Sequence, residues 1–244
     1  GVRDISQSDD GVAKPAIAAA AGPRDLCTDC GISRSTEPKR CGRACQFIKP
    51  DYEGLEARVH GRTRDPARTD EIFFGPFRRM VRARLAPPKP GAQWTGITTR
   101  IAERLLETNA VDAVLTMAPD ENDNWRPVPV LVTRAEGMAQ CRGMRMGYAP
   151  LLALLEPARD AGHKRIAVIG IPCQVYALRA LEAERGVAPS DQIPAIALTA
   201  LGRSEDRLRA LAAGFRMHVA KPVEPAELAM VIASLADRVA AGNS

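Results

Sequence analysis

Cys27 and Cys30 form a C-x2-C pair, and Cys41 and Cys45 form a C-x3-C pair ten residues further on. Short spacings of this kind let thiolates converge on one centre while nearby backbone N–H groups point at the sulfurs. Two occupants suit such a set, a tetrahedral zinc or an iron–sulfur cluster, and the spacing alone does not choose between them. Asp29, Arg34, Lys39, Arg40 and Arg43 surround the cysteines. Positive charge there would raise a cluster's potential and attract an acidic electron donor, or would simply solvate the loop. Cys173, in Gly170-Ile171-Pro172-Cys173-Gln174, stands between an apolar run and a helix, where open α/β sheets place ligands; it reads as a ligand-contacting thiol or as a small core residue. Cys141 is an outside candidate. Gly91 to Thr99 join Gly, Thr and Gln to a helix start, which offers free N–H groups and hydroxyls to a phosphate or a ring edge. Gln93, Gly96, Thr98 and Thr99 are its candidate cofactor contacts, against the alternative of a plain helix cap.

The elements that must position these residues alternate in type. Residues 1–25 read as an irregular tail and 26–48 as a loop segment whose order must come from something other than burial. A helix carries Ile101, Leu105 and Leu106; strands follow at 111–117 and 128–132, then a helix around 148–161. A strand at 165–170 leads to a helix from about Val175 to Arg185. Strand Ile193 to Thr199, helix Ser204 to Ala213, strand Phe215 to Ala220 and helix Pro225 to Arg238 complete the series. This alternation predicts an α/β fold with a mostly parallel, flavodoxin-like sheet and a cysteine-rich N-terminal loop segment.

Composition narrows the function. The 244 residues carry 34 Lys plus Arg against 29 Asp plus Glu, a net charge of +5 that gathers into no basic block, and only 4% aromatics, so nucleic-acid binding is not favoured. The longest apolar runs, such as Ile166 to Ile171, fall far short of the roughly 18–20 residues of a membrane-spanning helix. The Ala-rich run 16–21 lies between Pro15 and Pro23 without the apolar centre of a signal peptide. The expectation is a cytoplasmic protein.

Several ordered motifs go further. Leu26-Cys27-Thr28-Asp29-Cys30-Gly31, Ala44-Cys45-Gln46-Phe47, Val59-His60-Gly61-Arg62, Gly91 to Thr99 and Ile169-Gly170-Ile171-Pro172-Cys173-Gln174 together resemble the N-terminal half of the deazaflavin-dependent hydrogenase/dehydrogenase beta-subunit family. Within it the likeness runs to the ferredoxin-dependent 3,8-divinyl chlorophyllide 8-vinyl reductases. Over residues 26–186 the resemblance implies an iron–sulfur flavoenzyme, with a 4Fe-4S cluster on Cys27, Cys30, Cys41 and Cys45, and with FAD near Gln93, Gly96, Thr98, Thr99 and Cys173. Ferredoxin is the implied electron donor and a chlorophyllide-type tetrapyrrole the implied substrate; His60 could sit near the flavin. No catalytic proton donor is identified. The family continues well beyond Cys173, so the reductase portion is expected to be truncated and impaired, unless a partner chain supplies the missing half. Residues 187–244, with Thr199 and Lys221-Pro222, resemble the last third of a response-regulator receiver domain that lacks its acceptor aspartate. This hybrid is expected to continue one sheet from the strand at 166–170, with a signalling module or a fold without redox activity as the alternatives.

Overall fold

Two apolar, β-branched runs separated by the short polar stretch 120–126 make the centre of one sheet. The computed structural model describes residues 9–15, 17, 27–77, 81–92, 96–145, 147–186, 196–199 and 217–223. In chain order β1 (Val12–Ala13) is followed by a 3-10 turn (Ile32–Arg34), α1 (Arg40–Ala44), α2 (Tyr52–His60) and α3 (Thr69–Phe74). Next come β2 (Val81–Ala83), α4 (Ile97–Glu107), β3 (Ala113–Pro119), β4 (Pro127–Val132) and 3-10 segments at Ala135–Cys141 and Leu151–Leu154. The series closes with α5 (Leu155–Asp160), β5 (Ile166–Val168), α6 (Pro172–Glu184), β6 (Ile196–Thr199) and β7 (Met217–Val223). Two compact units result, each assembled from separate stretches of chain: 1–42, 91–93 and 98–170 in the first, 43–90, 94–97 and 171–244 in the second.

The first unit holds a four-stranded sheet in the order β1-β4-β3-β5. β3 and β4 are antiparallel, with Val114 opposite Val132 and Pro119 opposite Pro127, and β1 is antiparallel to β4. β5 alone is parallel to its neighbour β3. The sheet is therefore mixed, which corrects the expected mostly parallel, flavodoxin-like arrangement. The physical reason is the connection: the stretch between β3 and β4 is too short for the dozen or more residues of a parallel crossover, so the chain folds back as a hairpin. Asp123 Oδ1 accepts from the Trp125 N–H at 3.0 Å and Asp120 N–H donates to Arg126 O at 2.9 Å, which tightens the turn. Trp125 stands exposed at its tip.

Alternation along the strands gives this sheet two apolar faces. Val12, Val114, Val130 and Val132 pack with Ala102 and Leu106 of α4 and with Met138. Ala13, Leu115 and Leu131 pack with Leu151, Leu154 and Ala158 on the other side. Part of the expected N-terminal tail is thus core: Val12 and Ala13 are buried, and Thr133 N–H donates to Gly11 O at 2.9 Å. At the open end of the β3–β5 pair, Asp112 accepts from the backbone N–H groups of Lys164 and Arg165 at 3.1 and 2.9 Å and from the Arg165 guanidinium at 2.6 Å.

In the second unit a three-stranded sheet runs β2-β7-β6, both pairs parallel. The strands expected to continue the sheet from Ile166–Val168, those carrying Thr199 and Lys221, therefore do not extend the sheet of β5. The strand carrying Lys221 pairs with Val81–Ala83 instead, and the strand carrying Thr199 pairs with it in turn. The helices expected at 204–213 and 225–238 lie outside the described residues. In the same unit α2 packs on α6: the rings of Tyr52 and Tyr176 meet edge-on with centroids 5.3 Å apart, and Arg58 donates to Glu182 O at 3.5 Å. No helix among the described residues is long and apolar enough to cross a membrane.

Candidate metal and cofactor site

Contacts with the 150–156 segment hold the loop of the first cysteine pair. Leu152 N–H donates to Cys30 O at 2.9 Å. Gly31 lies so close to the 150–153 segment, at φ 108°, that a Cβ would sit 2.4 Å from Ala153 N and 2.8 Å from Pro150 O, so only glycine fits. The 3-10 turn then closes with Ser35 Oγ donating to Ile32 O at 2.8 Å, and Glu156 of α5 accepts from Thr36 N–H and Oγ1–H at 3.0 and 2.6 Å. Within the loop the Asp29 N–H points at Cys27 Sγ from 3.3 Å, and the Asp29 carboxylate pairs with the Arg34 guanidinium. That hydrogen-bonded pairing raises the Arg34 pKa above its ordinary value, against a smaller opposing effect of burial.

The second pair straddles the boundary between the units. Cys41 lies in α1, where its N–H donates to Pro38 O at 3.1 Å. Cys45 O accepts from the Ile48 and Lys49 N–H groups at 3.3 and 3.0 Å, a tight turn that leaves Phe47 and Ile48 exposed. Tyr176 of α6 holds the far side of this turn, its hydroxyl accepting from Asp51 N–H at 2.6 Å and donating to Lys49 O at 3.4 Å. Burial pushes the Tyr176 pKa up. Arg43, just before Cys45, pairs with Glu184 at 2.5 Å.

None of the four cysteines is in a disulfide. Their chemistry fits a thiolate-held metal centre, since one sulfur already takes a backbone N–H and no disulfide competes. Among the described residues, however, no three Cys, His, Asp or Glu side chains are gathered as ready metal donors, and Cys45 belongs to a different unit from the other three.

Of the expected cofactor loop, Gln93 lies outside the described residues. Gly96 is buried at φ 68°, a left-handed turn that suits glycine, and α4 starts directly after it. No acidic side chain occupies the first turn of α4, so nothing there repels an anion. Thr99 is buried and Thr98 half-buried. Cys173 lies half-buried in the first turn of α6, just after Pro172, and the Gln174 side chain caps that turn by accepting the Ile171 N–H at 3.0 Å. Cys141 packs against the apolar cluster around Val114 and Met138, where burial pushes its thiol up to about 12; it is a core thiol, not a reactive one.

Sequence reasoning missed a buried ionic cluster in the Arg-rich stretch after α2. Glu71 has no exposed side-chain surface; Arg62 grips it at 2.6 Å with both terminal nitrogens, and Arg68 adds a contact at 3.0 Å and Asp65 N–H another at 3.0 Å. The Arg62 hydrogen bonds hold its carboxyl down to about 2, in spite of burial acting the other way. Glu56, also buried, is held by Arg64, which donates to Ile72 O at 3.0 Å as well. In the first unit Glu103, 5% exposed, accepts from Arg142 at 3.4 Å. The available signal was the alternation of Arg with Glu at short intervals, which reads equally well as a solvated face.

The loop and sheet just described coincide with a known family pattern. Residues 80–156 match the family model "Coenzyme F420 hydrogenase/dehydrogenase, beta subunit N-term". That stretch contains Gly96, Thr98, Thr99, α4 and the β3–β4 hairpin. Among similar proteins, the uncharacterized protein all1601 of Nostoc sp. is 34% identical over 164 residues, 67% of this chain and 41% of the relative. The chloroplastic 7-hydroxymethyl chlorophyll a reductase of Oryza sativa is 36% identical over 167 residues, 67% of this chain and 35% of the relative. One of the F(420)H(2) dehydrogenase subunits of Methanosarcina mazei is 36% identical over 89 residues, 36% of this chain and 25% of the relative. The chain spans less than half the length of each of these relatives. Among solved structures, the F420-reducing [NiFe] hydrogenase complex of Methanosarcina barkeri shares 27% identity over 44% of this chain and 38% of its own, at a TM-score of 0.39, too low to place the fold.

Proposed function

We propose that this chain carries the N-terminal part of an iron–sulfur flavoprotein reductase acting on a chlorophyll-type tetrapyrrole. The observation that supports this reading best is the 36% identity to the rice 7-hydroxymethyl chlorophyll a reductase over two thirds of the chain, with a family match at 80–156 that contains the glycine-started N-terminus of α4. In this reading Cys27, Cys30, Cys41 and Cys45 hold a 4Fe-4S cluster, and Gln93, Gly96, Thr98, Thr99 and Cys173 hold FAD. When bound, the cluster would supply single-electron transfer and the flavin two-electron chemistry toward a substrate. The chain's own contribution is positional: Leu152 and Gly31 fix the first cysteine pair, Tyr176 fixes the turn after Cys45, and the start of α4 offers its free N–H groups to a phosphate. An acidic carrier of the ferredoxin type is the proposed donor. Reduction of an 8-vinyl group is the finer substrate proposal.

Anaerobic reconstitution with iron, sulfide and FAD, followed by metal, acid-labile sulfide and flavin analysis, tests this. The expected result is about four iron and four sulfide per chain with bound flavin. Stoichiometric zinc without sulfide would remove the cluster from the reading. A second reading rests on sequence resemblance alone and takes 187–244, with Thr199 and Lys221-Pro222, as a receiver-like segment. Intact mass after treatment with acetyl phosphate is expected to stay unchanged, because no acceptor aspartate stands in the matching position.

A further inference from the structure

Trp125, Phe47 and Ile48 are large apolar side chains left outside the fold, at 64, 55 and 66% exposure. Single exposed apolar residues are ordinary; these differ in the rigidity of the turns that carry them and in the charge around each turn. Trp125 tops the β3–β4 hairpin. Hydrogen bonds lock that tip: Asn122 N–H donates to Asp120 Oδ1 at 2.9 Å and Trp125 N–H to Asp123 Oδ1 at 3.0 Å, while Arg126 N–H reaches Asp123 O at 3.0 Å and Asp120 N–H reaches Arg126 O at 2.9 Å. A backbone already fixed in this way loses little freedom when a partner covers the indole, which is the condition for a binding anchor. The tip is also acidic. Residues 120–126 hold Asp120, Glu121 and Asp123 against Arg126. Asp120 and Asp123 serve the turn itself, whereas Glu121 reaches only Lys14, at 2.9 Å, with 81% of its side chain exposed.

Phe47 and Ile48 stand in the opposite setting. Cys45 O holds their turn through the Ile48 and Lys49 N–H groups, and the Tyr176 hydroxyl braces it through Lys49 O and Asp51 N–H. From 38 to 50 the sequence carries Lys39, Arg40, Arg43 and Lys49 and no carboxylate. Arg43 pairs with Glu184, and Lys49, next to Ile48, is exposed. One chain therefore offers two rigid apolar tips of opposite charge. We propose that a second copy of this chain is the partner of both: Trp125 of one copy seats on Phe47 and Ile48 of the next, with Glu121 facing Lys49. Two hairpin tips brought together would repel through their carboxylates, so the contact joins unlike surfaces and is heterologous. A patch built on three apolar side chains belongs with small, weak interfaces, so association depends on concentration. This goes beyond the reductase reading and needs no cofactor.

Sedimentation velocity of the full chain in reducing buffer, which removes intermolecular disulfides, tests the proposal. The parent is expected to rise in average mass between about 1 and 200 µM, and to rise less when salt is increased from about 50 to 500 mM. Trp125→Ser and Phe47→Ser are each expected to weaken association about ten-fold while keeping the parent's circular dichroism and melting temperature, since both side chains lie outside the core. Glu121→Lys and Lys49→Glu should each weaken it about three-fold or more, and the chain carrying both changes should return to within about two-fold of the parent. A parent that stays monomeric to about 200 µM overturns the proposal and leaves the two tips to a different partner. Association undiminished by Trp125→Ser, or no recovery in the doubly exchanged chain, overturns it as well.

Discussion

Gly31 is where a single methyl group should do most damage. Its φ of 108° is strained for any L side chain, and the contact at 2.4 Å is with backbone that cannot step aside. Gly31→Ala is expected to cost roughly 2–4 kcal/mol and to lower the melting temperature by about 6–12 °C, as calorimetry would read. A shift below about 2 °C would mean that the loop does not press on 150–153. Glu71 makes a different prediction. Its folded pKa of about 2 lies below its ordinary 4.5, so its stabilisation is complete above about pH 4.5 and is lost as the pH falls through 2. Asp112, held down to about 2 by Arg165, behaves likewise below its ordinary 3.8. Glu71→Gln removes the buried charge that Arg62 and Arg68 hold, so it should cost roughly 2–3 kcal/mol at pH 7 and flatten the decline of stability between pH 4.5 and 2. Urea unfolding of parent and variant across that range checks both the size and the sign.

At the scale of elements, α6 reaches outside itself to hold the turn that carries Cys45. Tyr176→Phe keeps the edge-on contact with Tyr52 and deletes only the hydroxyl between Asp51 N–H and Lys49 O. The expected loss is about 1–2 kcal/mol, with faster amide exchange at Asp51 and unchanged exchange in β3. Equal exchange at Asp51 would place the turn's support elsewhere. Why α6 begins where it does also explains what the sequence could and could not reveal. Reading Gly170 and Pro172 as breakers puts the helix start near Val175, yet proline fits a first helical turn, and the helix starts at Pro172 itself. The apolar strands β3 and β4 and the helix α4 were legible within a few residues because their periodicity is local. Strand direction was not, since alternating strands and helices favour a parallel sheet until the length of the 120–126 connection is weighed. β1 was invisible, because two residues carry no period. The same limit governs the candidate site: cysteine spacing is written in the chain, whereas the burial of Glu56 and Glu71 is created only by packing.

For the molecule as a whole, pairing predicts what can be removed. Among the described residues, no strand of the four-stranded sheet pairs with residues after 186, whereas β2 has its partner in β7. A chain ending at 186 should keep slow amide exchange at Leu115 and Val130–Val132 and lose it at Val81–Ala83. Protection that vanished in both sheets would show that the first unit leans on the C-terminal strands. The register of Val81 with Val219 has a further consequence in time. A ribosome adds roughly 5–20 residues per second, so β2 emerges about 7–30 s before the strand that completes it. Through that interval the nascent chain presents an unpaired strand edge with no native neighbour yet made. Expression in a host short of nascent-chain chaperones should therefore divert this protein into aggregates during synthesis, even where the finished chain is stable.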